Sequence, residues 1–393
     1  MRARLKPQVI VLACAALLND TASEMIYPLL PVFLTATLGA TPLVIGLIEG
    51  AADGLASILK YFAGAWSDRF GRRKPLVVAG YALAASSRAL IGLAGSWATV
   101  LSARLIDRTG KGIRSAPRDA MIADVTPPED RGRAFGFHRA LDHTGAILGP
   151  LIAIVLLQGL HLPMRQVFYI AVIPGALAVA LLIFALREAG GKALPSAALR
   201  AGVPARRVPL PRPFWRAITG IAFFSLANSS DAFLLLQAHD AGVSTAMLPL
   251  LWAAHHVIKS LFSTQAGALS DRIGRRSLIV AGWISYAVIY FLFPLAQSLG
   301  AFVILFVAYA VPFTLAEGAE KAFISDLVPT DARGRSFGIF YLVSGLGVLT
   351  GSLLFGVLYQ EVSRSAAFFT GAVLALAGAA VIASSPRRSA AAI

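Results

Sequence analysis

The 393-residue chain is 57% hydrophobic and 14% charged, with a mean hydropathy of +0.72. Soluble domains carry about 25% charged residues, so a water-covered globule is excluded. The formal net charge of +15 raises nucleic-acid binding, but no basic face is interleaved with stacking aromatics, and the charges gather between apolar stretches.

Twelve such stretches run near 8–37, 43–66, 76–95, 98–119, 133–158, 166–187, 214–236, 246–266, 278–297, 301–320, 335–357 and 365–384. Each is close to the about 20 residues that cross a bilayer. In lipid every backbone amide must be satisfied within its segment, so the spans are expected to be helices. The ten-residue alternation of a membrane barrel is absent. The opening could pass for a secretory signal, but the first span continues through Asn19, Asp20 and Glu24 into YPLLPVFL, which favours a retained helix.

Arg2, Arg4 and Lys6 precede the first span, and Arg69, Arg72, Arg73 and Lys74 follow the second. Arg272, Arg275 and Arg276 follow the eighth, and Arg387 and Arg388 the last, whereas 38–42 and 297–300 carry no charge. The positive-inside rule then puts both termini in the cytoplasm. Cys14 is the sole cysteine, so no disulfide framework or thiolate metal cluster is expected.

The spans themselves are charged. Asp20 and Glu24 share one face of the first helix, and Glu49 and Asp53 one face of the second. At about 1.5 Å rise per residue the four carboxylates lie at similar middle depth. Against them stand Arg88 on the third helix, Arg104 and Arg108 on the fourth, and His138, Arg139, Asp142 and His143 on the fifth, with Lys60 nearer the basic end. Arg114, Arg118 and Asp119 are expected at the cytoplasmic exit, where snorkelling explains them. Two readings stay open for the buried set: an ion-pair network that orients helices, or a proton relay. Asp20, Glu24, Glu49 and Asp53, then Asp142, are the candidates for the titrating group. The later spans offer Asn228, Asp231, His255, His256, Lys259, Glu317, Glu320 and Lys321. The histidines lack the partner spacing of a metal site, so no metal is expected.

An internal repeat divides the chain. GAWSDRFGRRK (64–74) matches GALSDRIGRRS (267–277) at an offset of 203, and RGRAFG (131–136) matches RGRSFG (333–338) at 202. Gly136, Gly145 and Gly149 correspond to Gly338, Gly347 and Gly351. The aperiodic stretch 188–213, rich in Pro, Ala and Arg, reads as a cytoplasmic linker between bundles at 1–187 and 214–393.

The paired G-x-x-x-D-R-x-G-R-R loops resemble the signature of the major facilitator superfamily. That resemblance implies twelve transmembrane helices in two pseudo-symmetric six-helix bundles, rocking around a midplane site. It implies a cytoplasmic gate in which Gly64 allows close helix approach and Asp68 meets the N-terminus of the eleventh helix near Gly334. Arg72 and Arg73 would bridge to carboxylates or headgroups, with Asp271, Arg275 and Arg276 as the symmetric set. In the fifth span Gly136, Gly145, Gly149 and Pro150 fit G-x8-G-x3-G-P, similar to the drug/proton antiporter branch, although Ala153 and Ile154 replace the paired glycines that usually follow. Arg108, opening RTGKGIRSA, fits a fourth-helix pattern whose arginine is linked to proton transfer, with Arg104 as a rival.

The expectation is a proton-coupled secondary transporter of a small organic molecule, an exporter rather than an importer, working as a monomer in a bacterial inner membrane. Its partners would be substrate, protons and lipid, with no cofactor. No nucleotide-binding motif occurs. An importer or facilitator of organic anions, suggested by Arg88, Arg104 and Arg108, is the alternative. A non-transporting membrane sensor or enzyme is the alternative of another class.

Overall fold

A computed structural model describes residues 5–30, 33–40, 42–188, 209–228, 234, 248–296 and 298–384. Asp231, the terminal arginines and most of the expected linker lie outside these residues, as does the side chain of Glu49. The described residues form helices and connections, with no strand among them.

In chain order the helices are α1 (Pro7–Glu24), α2 (Pro42–Phe70), α3 (Lys74–Leu93), α4 (Trp97–Val125), α5 (Arg131–Ile154) and α6 (Met164–Ala185). The second half repeats them as α7 (Arg212–Ala227), α8 (Leu248–Ile273), α9 (Arg275–Leu292), α10 (Leu299–Asp326), α11 (Arg333–Val357) and α12 (Arg364–Ala383). Eight of them are apolar and long enough to cross a bilayer on composition alone. The charge-rich α4 is not one of these, although it is among the longest.

Local chemistry sets the ends. Pro7 opens α1, where its missing N–H is harmless. Ser96, Ser298 and Ser363 cap α4, α10 and α12 by accepting from the backbone N–H three residues on. Gly71 and Gly274, equivalent in the repeat, take φ of 63° and 97° in the tight turns after α2 and α8, a region costly for other residues. Both α5 and α11 loosen into π-helical turns, at Val155–Gly159 and Leu358–Val362.

Packing follows the repeat. Within the first half α1 lies on α5 and α6, and α4 on α2 and α3; within the second α7 lies on α11 and α12, and α10 on α8 and α9. The halves meet chiefly along α2 against α11 and α8 against α5. Their interiors differ. The second half fills with stacked rings such as Trp283 on Phe224, 4.6 Å between centroids, and Tyr286 on Tyr290, 4.2 Å. The first half buries charge instead.

Candidate functional site

Two matched junctions close the end of the molecule that carries the basic loops. At one, Gly64 of α2 lies against Gly334 of α11 so closely that an added Cβ would overlap the Gly334 carbonyl. One turn on, the Asp68 carboxylate accepts from the N–H groups of Gly334 (2.9 Å) and Arg335 (2.7 Å). At the other, Gly267 of α8 lies against Gly132 of α5, and Asp271 accepts from the N–H groups of Gly132 and Arg133, both at 2.9 Å. An anion on the unpaired amides of a helix N-terminus satisfies donors that would otherwise be orphaned. The Asp68 contact with the eleventh helix is the one that the family resemblance of the matched loops implies.

The arginines break the symmetry. Arg73 pairs with Asp68 (3.2 Å) and Asp124 (3.1 Å), while Arg72 is exposed. At the second junction Arg275, the repeat equivalent of Arg72, pairs with Asp271 and with Asp326 at 3.3 Å. Arg276 is half-buried there. Asp124 and Asp326 complete the junctions, held across the halves by Arg333 (2.7 Å) and Arg131 respectively. Sequence reasoning gave none of these four residues a role, although Arg131 and Arg333 open the matched segments RGRAFG and RGRSFG. The signal was present: both aspartates occupy equal places in the repeat, seven residues before RGRAFG and RGRSFG.

Inward of the junctions lies a polar cavity of about 350 Å³. α1 contributes Asn19, Asp20, Ser23 and Glu24, and α4 contributes Asp107, Arg108, Lys111, Arg114, Ser115 and Arg118. Tyr27, Lys60 of α2, Arg139 and Asp142 of α5, and Tyr341 of α11 complete the wall. Gly145 and Gly149 make this wall possible, since added Cβ atoms would strike the α1 backbone beside Asp20 and Glu24. Pro150 follows within the same helix, which continues to Ile154.

Of the expected residues, Asp20, Glu24, Arg108 and Asp142 come together at the cavity. Asp53 is two-thirds exposed and reaches Arg108 at 2.9 Å, so it lies outside the wall. Arg88 is buried but turned to Asn19, donating to its carbonyl (3.0 Å) and side-chain oxygen (2.8 Å). It braces α3 on α1. Arg104 pairs with Asp107 at 3.7 Å.

Arg114, Arg118 and Asp119 correct the expectation of an exposed exit. All three are buried, because α4 runs on to Val125 and keeps them inside the bundle. Asp119 pairs with Arg118 (2.9 Å) and, across the halves, with Lys321 of α10 and the Tyr341 hydroxyl. Glu317 of α10 forms a further cross-half cluster with Arg139 (3.4 Å) and His143 (3.3 Å), together with Lys259 (2.9 Å) of its own half. The imidazoles of His143 and His256 meet at 3.2 Å, and His255 packs among Phe306, Tyr309 and Phe313. No group of three metal-ligating side chains occurs among the described residues.

Two six-helix bundles around a charged internal cavity, shut at one end by matched helix junctions, define a polytopic membrane carrier. The Major Facilitator Superfamily profile matches residues 12–258 and 232–392, and the chain belongs to that family. It is 34% identical to an uncharacterized MFS-type transporter of Methanocaldococcus jannaschii, over 95% of this chain and 93% of the relative. It is 30% identical to a protein described as a probable 4-methylmuconolactone transporter of Cupriavidus pinatubonensis, over 92% and 85%. Among solved structures, the human organic anion transporter MFSD10 superposes with a TM-score of 0.79 at 18% identity, covering 97% of this chain and all of that one. That likeness is one of fold.

Proposed function

We propose that the chain is a proton-coupled carrier of a small organic anion, working as a monomer by alternating access, with its basic end in the cytoplasm of a bacterium. The observation that carries this reading is the charge arrangement of the cavity. Asp107 is satisfied by Arg104 and Arg108, and Asp142 by Arg139 and His138. Asp20 and Glu24 form no ion pair among the described residues, and share the cavity with Lys60, Lys111 and Arg114. While ionised, the two α1 carboxylates offset two of those three cations. Once protonated, they leave net positive charge for an anionic substrate to neutralise. Proton and anion therefore bind together and dissociate together, which is symport. The Arg114 Nε atom, buried without a hydrogen-bond partner among the described residues, offers a donor to such a molecule. The name of the 30% identical muconolactone transporter agrees with this class of substrate.

The junctions built on Gly64, Asp68, Arg73, Gly267, Asp271 and Arg275 act in this reading as the cytoplasmic gate, shut while the cavity loads from the other face. Export by exchange for protons is the second reading, favoured by the glycine face of α5 that seats on α1 beside Asp20 and Glu24. Proteoliposomes loaded with a pH-sensitive dye and offered 4-methylmuconolactone or benzoate separate the two. Symport acidifies the lumen as anion enters; exchange makes it alkaline. Anion uptake without proton movement would overturn the coupling, and the absence of uptake would overturn the substrate class.

A further inference from the structure

The repeat that aligns Asp68 with Asp271 also aligns Arg139 of α5 with Tyr341 of α11. Both line the floor of the cavity, and both reach out of it to a carboxylate in the opposite half. Arg139 leaves the first half for Glu317 of α10, and Tyr341 leaves the second half for Asp119 of α4. The two carboxylates are themselves anchored, Glu317 by Lys259 and Asp119 by Arg118. These contacts lie inward of the junctions at Asp68 and Asp271. On α10 the order from the basic end is Asp326, Lys321, Glu317, and on α5 it is Arg131, Arg139, His143.

We propose that Arg139 and Tyr341 are a second pair of latches, holding the two halves shut at the cavity floor independently of the helix junctions at the basic end. Their position gives them a property that the outer junctions lack. A molecule resting on the floor touches the latch side chains themselves, so filling the cavity and loosening the lock become one event. Arg139 is already divided between Asp142 at 3.2 Å and Glu317 at 3.4 Å, so a small displacement exchanges one partner for the other. A lock whose members line the cavity biases a two-state equilibrium through differential contact, the only means by which an occupant can do so.

The test needs no substrate. Spin labels on cysteines at Glu129 and Asp331, exposed equivalents on the two halves at the basic end, report the gap by pulsed dipolar spectroscopy in nanodiscs, with Cys14→Ser as parent. Tyr341→Phe removes one hydroxyl and leaves the ring against Phe340. Glu317→Gln removes one charge at nearly constant volume. Each is expected to raise the long-distance population about fivefold or more over the parent. Arg139→Lys, which keeps a cation between Asp142 and Glu317, is expected to stay nearer the parent value than Glu317→Gln, which guards against a variant that merely folds poorly. Distance distributions that superimpose on the parent in both Tyr341→Phe and Glu317→Gln would overturn the proposal. So would a lowered melting temperature with an unmoved distance, since that marks packing rather than a lock.

Discussion

Asp68 and Asp271 make the same contact in opposite directions: each carboxylate, at the end of a helix in one half, accepts two backbone N–H groups from a helix that begins in the other. The closed end is therefore held by caps that cannot survive separation of the halves. An asparagine keeps the shape but offers one acceptor oxygen without charge. Asp68→Asn and Asp271→Asn should each weaken closure by about 1 kcal/mol, the worth of a helix cap. The check is the labelling rate of a cysteine at Ser336, buried at this end, by an impermeant maleimide applied from the basic side. Faster labelling in both variants is expected, and the pair together should exceed either alone.

The glycines at these contacts act through volume. A Cβ on Gly64 or Gly267 would overlap a backbone carbonyl of the facing helix, which cannot move aside as a flexible side chain would. Gly64→Ala and Gly267→Ala should therefore hold the end ajar and cut transport by about tenfold or more. Gly54, also on α2, has nothing within 4 Å of an added Cβ among the described residues. Gly54→Ala should transport normally, and a loss there equal to that of Gly64→Ala would show that α2 tolerates no substitution of any kind.

The arginine pairs give a prediction that sequence symmetry opposes. By the repeat, Arg72 should do what Arg275 does. Yet Arg72 points outward while Arg73 bridges Asp68 and Asp124, and Arg275 bridges Asp271 and Asp326. Arg73→Ala and Arg275→Ala should impair transport strongly, whereas Arg72→Ala should lie within about twofold of the parent, as an exposed charge would. Measured uptake rates in the three variants decide it.

What the sequence disclosed was whatever it states twice. Twelve apolar stretches, the matched loops and the glycine spacing gave the helices and the pseudo-symmetry, and the family resemblance of those loops implied the Asp68 contact with Gly334. What escaped was three-dimensional partnership. Nothing in periodicity says that Arg88 turns to Asn19 instead of the cavity, or that Asp53 leans outward to Arg108. Charge is denser in the first half, but Glu317, Lys321 and Tyr341 of the second meet it across the interface. Reading α4 as ending near residue 119 hid this, because its last turns carry Asp119 and Asp124 to those partners.

The pair Asp119–Lys321 is buried on both sides. Asp119→Asn strands the buried Lys321, at a cost of about 3–5 kcal/mol, while removing both members costs less. Asp119→Asn alone should lower the midpoint of thermal unfolding in detergent markedly, and Lys321→Met less so, because Asp119 keeps Arg118 and the Tyr341 hydroxyl. The double variant should recover part of the loss. Additive losses would mean that each residue is held by other contacts and that the pair itself contributes little.

The α1 carboxylates carry the proposed coupling, so their neutral isosteres should separate the proton from the anion. In the parent, loss of protons from Asp20 and Glu24 as pH rises returns negative charge to a wall that contains Lys111 and Arg114. The carboxylates then compete with the anion for those cations, and anion affinity should fall with rising pH. In Asp20→Asn with Glu24→Gln that competitor is gone. Anion exchange between equal pools, measured with labelled benzoate, should persist and become nearly independent of pH, while proton-driven accumulation is lost. Retained accumulation would move the coupling site elsewhere, with Asp142 the next residue to test. A pH dependence unchanged from the parent would show that these carboxylates do not face the anion at all.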